Sequence, residues 1–226
     1  ATGATSEVSC SECDAGKYSG ATAAACSDCI AGKYSGATGA TSEATCSECI
    51  AGKHSGISGA ISAFICSECD AGKYSGAAAA ACSDCIAGKY SGATGATSEV
   101  TCSYCNAGKY SGAAAAACSY CDAGRYSGAA ASTCSDCVAG KYSGVTGASS
   151  EAACSECEAG KYSGAAASTC SHCNAGKYSG AAASTCSDCY AGKYSGATGA
   201  TSEASCFNCT AGKYSSTVGA TRETVC

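Results

Sequence analysis

Leucine, methionine, tryptophan, proline and glutamine do not occur at any of the 226 positions. The large aliphatics are six Ile and six Val, and the only Phe are Phe64 and Phe207. Leu, Ile, Val and Phe together make about 6% of the chain, far below the roughly 20% under which disorder is expected. The nominal hydrophobic content of 46% is mostly Ala and Cys, and burying Ala recovers little free energy. A core of this composition cannot offset backbone ordering at about 1–2 kcal/mol per residue. An ordinary globular domain is therefore excluded. Long apolar runs are also missing: the longest are tracts of five Ala, as at 77–81, so no membrane span is expected. These residues hold no secretory signal, and one is expected outside them. The net charge is −5, with acids and bases interspersed. No basic patch exists to hold nucleic acid.

What the chain has instead is cysteine. Its 25 Cys are about 11% of the residues, above the roughly 8–10% that marks a disulfide scaffold. Such frameworks persist in oxidising compartments, so the expected location is extracellular or at the cell surface.

The cysteines fall in a tandem repeat, Cys-Ser-x-Cys-x-Ala-Gly-Lys-Tyr-Ser-Gly, followed by a variable tail. The first Cys of successive units stands at 10, 26, 46, 66, 82, 102, 118, 134, 154, 170, 186, 206 and 226, so units are 16 or 20 residues long in irregular order. Short units carry tails such as 77–81, and long units add four residues, as in 93–101. Residues 1–7 match the long tail at 37–43. We accordingly expect 1–12 to be the tail of a preceding repeat and 13–226 to hold twelve tandem cysteine-rich repeats. The head Ala-Gly-Lys-Tyr reads as a turn into a short extended segment, with Gly16 and its equivalents at the turn. Tyr18 and its counterparts are the only regular large side chains, and each is expected to pack over its own disulfide or a neighbouring unit. The Ala tracts have high helix propensity but are too short to nucleate alone, which allows a single helical turn there.

Three readings of the cysteines compete. In the first, the second Cys of one unit pairs with the first Cys of the next: Cys13 with Cys26, Cys29 with Cys46, Cys49 with Cys66, Cys69 with Cys82, Cys85 with Cys102, Cys105 with Cys118, Cys121 with Cys134, Cys137 with Cys154, Cys157 with Cys170, Cys173 with Cys186, Cys189 with Cys206 and Cys209 with Cys226. That leaves Cys10, whose partner would lie upstream of residue 1. Each such loop contributes about 3 kcal/mol in the chain-entropy account, and the four extra residues of a long unit change closure entropy by only tenths. The second reading is a zinc-ribbon array, since Cys-x-x-Cys pairs recur at nearly the right interval; units grouped in twos would be needed, and nothing distinguishes such partners. The third is a redox-active Cys-x-x-Cys, which ordinarily occurs once rather than in every unit.

The string at 26–36 resembles the ephrin-receptor-like cysteine-rich repeat, which is related to the first half-module of tumour necrosis factor receptor cysteine-rich domains. The similarity covers essentially the whole chain. It implies short irregular β-hairpins with little regular secondary structure, stacked into an elongated rod or solenoid, with the sequential disulfide pairing. The family often has Pro after the second Cys, where this chain has Asp14, Ile30, Asn106, Glu158 or Tyr190. Long near-identical arrays with Ala-Gly-Lys-Tyr-Ser resemble those of algal and protist extracellular filament proteins.

Chemistry-bearing residues are few. An acid stands between the cysteines of many units (Glu12, Asp28, Glu48, Glu68, Asp84, Asp136, Glu156, Asp188), with Lys five residues on, as at Lys17, Lys33 and Lys53. Catalysis needs two carboxylates in different environments, and calcium needs six to eight oxygens. A solvated ladder of weak ion pairs is the expectation. His54, at a Tyr position, and His172 have no triad partners in the pattern and read as exposed drift. No catalytic residue, metal or cofactor is expected. Thr38, Thr41 and Thr94 of the tails are candidate glycosylation positions, and Asn208-Cys209-Thr210 is a formal sequon. The functional expectation is a non-catalytic, glycosylated structural component of an extracellular filament or fibril that self-associates. The alternative is a receptor-type or adhesin stalk that binds a ligand.

Overall fold

The structure, a computed structural model, describes residues 10–226. The tail assigned to 1–12 thus lies, in its first nine residues, outside the described residues. No helix among the described residues is long and apolar enough to cross a membrane. Two compact units are distinguished: one comprises the residues up to Tyr104 with Ser111–Cys118, the other Cys105–Tyr110 with Ser119–Cys226. Both are built from the same element.

That element begins with a turn. In Asp14-Ala15-Gly16-Lys17 the Lys17 amide donates to the Asp14 carbonyl at 3.1 Å and Gly16 has φ +84°, the conformation that the third position of a type II turn demands. The turn launches the two-residue strand Lys17–Tyr18, which pairs antiparallel with Ser27–Asp28 of the next repeat. Lys17 stands opposite Asp28 and Tyr18 opposite Ser27. The same hairpin recurs, with Lys-Tyr of one repeat against the residues between the two Cys of the next, through Lys193–Tyr194 against Phe207–Asn208. A two-residue pairing is marginal alone. Each is closed at its base by a disulfide, such as Cys13–Cys26, Cys29–Cys46 or Cys69–Cys82.

The bridges from Cys13–Cys26 to Cys85–Cys102 and from Cys121–Cys134 to Cys209–Cys226 each join the second Cys of one repeat to the first Cys of the next, at separations of 13 or 17. Cys105 and Cys118 are disulfide-bonded as well. Cys10 carries a free, exposed thiol.

The tail of each repeat then returns along the hairpin before it. Ala40 forms a parallel bridge with Tyr18, and the Ser19 amide donates to the Ala40 carbonyl at 3.0 Å. The Gly39 amide donates to the Cys13 carbonyl at 2.8 Å, and the Gly16 amide to Ser35 at 2.7 Å. The core that results contains almost no large side chains. It consists of the second Cys of most pairs, the first Cys after several long tails (Cys46, Cys102, Cys154, Cys206), the bridging Ala of the long tails (Ala40, Ala60, Ala96, Ala148, Ala200, Ala220) and the Ser at the end of the heads from Ser35 to Ser215. Several of those serines donate their hydroxyl to the preceding repeat, Ser75 to the Lys53 carbonyl at 3.0 Å and Ser111 to the Lys89 carbonyl at 2.9 Å.

The two tail lengths share one path. Gly39 of a long tail and Ala78 of a short tail occupy the same left-handed position, with φ +64° and +57°. A long tail adds one residue before that position and three after it. The later residues form a 3-10 turn, as at Glu43–Thr45 and Glu99–Thr101. The helical turn expected in the Ala tracts is therefore in the long tails. The Ala tracts instead make a tight left-handed turn, because the bridge to the preceding hairpin fixes their backbone more strongly than Ala's propensity does.

Candidate functional site

Tail length also decides where the lysines point. In short units the cation reaches the acid opposite it in the hairpin: Lys17 to Asp28 at 2.9 Å, Lys73 to Asp84 at 3.0 Å, Arg125 to Asp136 at 2.9 Å, Lys177 to Asp188 at 2.6 Å. In long units whose 3-10 turn opens with glutamate, that residue takes it over: Lys33 to Glu43 at 3.1 Å, Lys89 to Glu99 at 2.9 Å, Lys193 to Glu203 at 2.8 Å, whereas Lys53, whose tail has Ala63 there, keeps the opposing Glu68 at 3.8 Å. Hydrogen bonding to Asp28 raises Lys17 above its ordinary range, and hydrogen bonding to Lys89 lowers Glu99 below its own. These pairs are solvent-facing and individually weak. Lys109 lies 4.3 Å from the centre of the Tyr120 ring. The acids between the cysteines are thus spread along separate hairpins. Among the described residues no cluster of carboxylates gathers where a cation could be held.

Thr38, Thr41 and Thr94 are all exposed on their tails. Asn208 is paired in a hairpin with Lys193. The tail at 57–65 differs from the others. Ala63 stands where other long tails have Glu, and Ile57, Ile61, Phe64 and Ile65 line an apolar hollow of about 330 Å³. Phe64 is 99% exposed.

Two tyrosines are placed beside cysteines of neighbouring repeats, one of the two positions the sequence suggests. Tyr142 lines a cleft with Thr169 and Cys170, and Tyr162 one with Thr185 and Cys186. In each case the cysteine opens the repeat two further on. His54 occupies the same place relative to Cys82, and its Nδ1 lies 3.1 Å from the Cys82 Sγ. His54 is half-buried rather than an exposed drift position. His54 Nδ1, Cys69 Sγ and Cys82 Sγ all lie within 4.8 Å of one another, the one such gathering of metal-ligating atoms among the described residues. Two of the three are bonded to each other as a disulfide. The sequence signal was the single replacement of Tyr by His. The sulfur it meets is 28 positions away, beyond any local pattern. His172, by contrast, is exposed and opposite Lys161.

Compared with known protein families the chain matches none, and a search among curated proteins finds no match either.

Proposed function

We propose that this chain is a non-catalytic structural component of an extracellular filament or fibril, self-associating and glycosylated on its tails. The observation that carries the reading is the recurrent backbone interlock. In repeat after repeat, a head glycine packs directly against the backbone of the tail two repeats on, as Gly52 does against Gly95 and Gly124 against Ala166. Stability then resides in backbone hydrogen bonds and disulfides, and the outward Ala, Ser and Thr are left for packing between copies or for sugars. The hairpin-and-disulfide repeat supports placing the chain with ephrin-receptor-like cysteine-rich repeats. The cysteine chemistry supports an oxidising, extracellular location.

The test is electron microscopy of native material together with non-reducing glycopeptide mapping. Filaments that contain this chain, with sugars on peptides bearing Thr38, Thr41 or Thr94, are the expected result. Dispersed single chains at every concentration would overturn it.

A receptor-type or adhesin stalk is the second reading, favoured by the apolar hollow around Phe64. Phe64→Ala with Ile61→Thr, the pair found in the long tails at 37–45 and 197–205, separates the two. Filaments that survive this change leave the hollow for another ligand, and filaments that fail assign it to contact between copies.

A further inference from the structure

We propose that His54, Cys69 and Cys82 form a latent metal site. The Cys69–Cys82 disulfide closes it, a dithiol opens it by reduction, and the opened site takes a zinc-class cation. The starting point is where the repeat breaks its own rule. The aromatic position beside a cysteine two repeats on is Tyr at Tyr142 and Tyr162, facing Cys170 and Cys186 across clefts of about 270 and 220 Å³. At residue 54 the ring is an imidazole, and its nitrogen contacts sulfur at 3.1 Å. A phenol offers zinc nothing comparable, whereas imidazole nitrogen and thiolate sulfur are its preferred donors.

The disulfide is placed to react. Cys82, like the other cysteines that follow short tails, is half-exposed and open to attack; what sets it apart from them is the imidazole nitrogen at 3.1 Å. A thiolate of the dithiol attacks Cys82 Sγ, the S–S bond breaks, and Cys69 leaves as a thiolate that takes up a proton. The second thiol of the reagent then attacks its own sulfur in the mixed disulfide, and Cys82 leaves beside His54. Two electrons pass from the dithiol, which ends as a cyclic disulfide, and its two thiol protons end on Cys69 and Cys82. With its proton on Nδ1 the imidazole favours this outcome by donating to the departing thiolate, and the tautomer with the proton on Nε2 leaves Nδ1 free to bind the metal.

The opened site keeps its frame. The Cys69 amide donates to the Gly52 carbonyl at 2.9 Å, and the Cys69 carbonyl accepts from the Gly95 amide at 2.7 Å. On the other side, the Ser55 amide donates to the Ala79 carbonyl at 3.1 Å, which holds the chain between His54 and Cys82. Two thiolates and one imidazole bound at about 2.3 and 2.0–2.1 Å supply three tetrahedral ligands and leave a fourth position for water. Binding releases the two thiol protons.

The full chain is treated with graded dithiothreitol under argon, desalted, alkylated in one portion for peptide mapping and titrated with Co²⁺ in another. We expect Cys69 and Cys82 to be alkylated at lower dithiol than Cys157 and Cys170, with one Co²⁺ bound per chain and a thiolate-to-cobalt absorption band. His54→Tyr, which restores the residue of the other repeats, is expected to remove the early alkylation and weaken Co²⁺ binding at least tenfold. Tyr142→His is expected to confer both properties on Cys157–Cys170. Cobalt bound as tightly by His54→Tyr, simultaneous opening of the two disulfides, or no second site in Tyr142→His would each overturn the proposal.

Discussion

Gly72 lies so close to the backbone of Ala114, two repeats further along, that a Cβ on the glycine would stand 2.2 Å from the Ala114 carbonyl oxygen. Gly192 has nearly the same backbone, φ +79° against +85°, but nothing within 4 Å of the corresponding point. The pair separates two reasons for glycine. Gly192→Ala should cost only the left-handed conformation, about 1–2 kcal/mol. Gly72→Ala must also displace backbone, adding roughly 1–3 kcal/mol. Native-state hydrogen exchange at the Ala114 amide, which donates to Cys85, reads the second effect locally. Equal costs at the two positions would remove the interlock as a source of stability.

This interlock marks the boundary of what the sequence makes legible. The disulfide-rich repeat class follows from the cysteine interval and from a core too poor to stand alone, while the hairpin is implied by the resemblance to ephrin-receptor-like repeats. The contact between Gly72 and Ala114 spans 42 positions and involves only backbone and Ala, so no side-chain pattern announces it. The partner of each lysine was hidden for a related reason. The acid five residues before Lys33 is Asp28, yet Lys33 reaches Glu43, because the tail folds back over the hairpin. Tail length was visible as a spacing of 16 or 20, but its effect on charge pairing becomes visible only once the tail's path is known. At the candidate site, the exchange of Tyr for His at residue 54 was plain, and its sulfur partner was not.

The Ala tracts carry strain that the long tails avoid. Ala182 has φ +56°, while Gly199 stands at the equivalent place in a long tail with φ +68°. Ala182→Gly should relieve about 1–2 kcal/mol of left-handed strain and give back about 0.5–1 kcal/mol in backbone entropy. A net gain of about 0.5–1 kcal/mol is expected. Ala183, the next residue, forms the bridge to Tyr162, so glycine there should lose about 0.5–1 kcal/mol. Opposite signs at adjacent alanines, read as opening free energies by hydrogen exchange, are the expected outcome. A loss at both would place the strain elsewhere.

The Lys89–Glu99 pair gives a pH signature. The hydrogen bond from Lys89, and then its charge, hold Glu99 below its ordinary value of 4.5. The hydrogen bond to Glu99 holds Lys89 above its ordinary 10.5. A carboxylate lowered in the fold stabilises above 4.5 and loses that contribution as pH falls through its folded value. An amine raised in the fold stabilises below 10.5 and loses it as pH rises through its folded value. The 3-10 turn at Glu99–Thr101 should therefore be best protected between these limits. Solvent exposure keeps the effect small, and molar salt should remove most of it. Carbon-detected titration of Glu99 should give a midpoint below 4.5 that returns toward 4.5 in Lys89→Gln.

Ser75 and Ser195 are both buried, and their hydroxyls have opposite fates. The Ser75 Oγ donates to the Lys53 carbonyl at 3.0 Å. The Ser195 Oγ has no hydrogen-bond partner, the one such buried side-chain atom among the described residues. Both backbones are held alike: the Ser75 amide donates to Ala96 at 3.0 Å and the Ser195 amide to Ala220 at 3.0 Å. Replacement by Ala therefore isolates the hydroxyl. Ser75→Ala should cost about 1 kcal/mol, because it removes one bond and leaves the carbonyl of half-buried Lys53 short of a donor. Ser195→Ala should be neutral or stabilising by up to about 1 kcal/mol, since a buried hydroxyl without a partner carries its desolvation uncompensated. Hydrogen exchange at the Ser75 and Ser195 amides measures both. Equal losses would mean that Ser is needed at this position for its shape in the core, and that the hydroxyl bond between repeats contributes nothing.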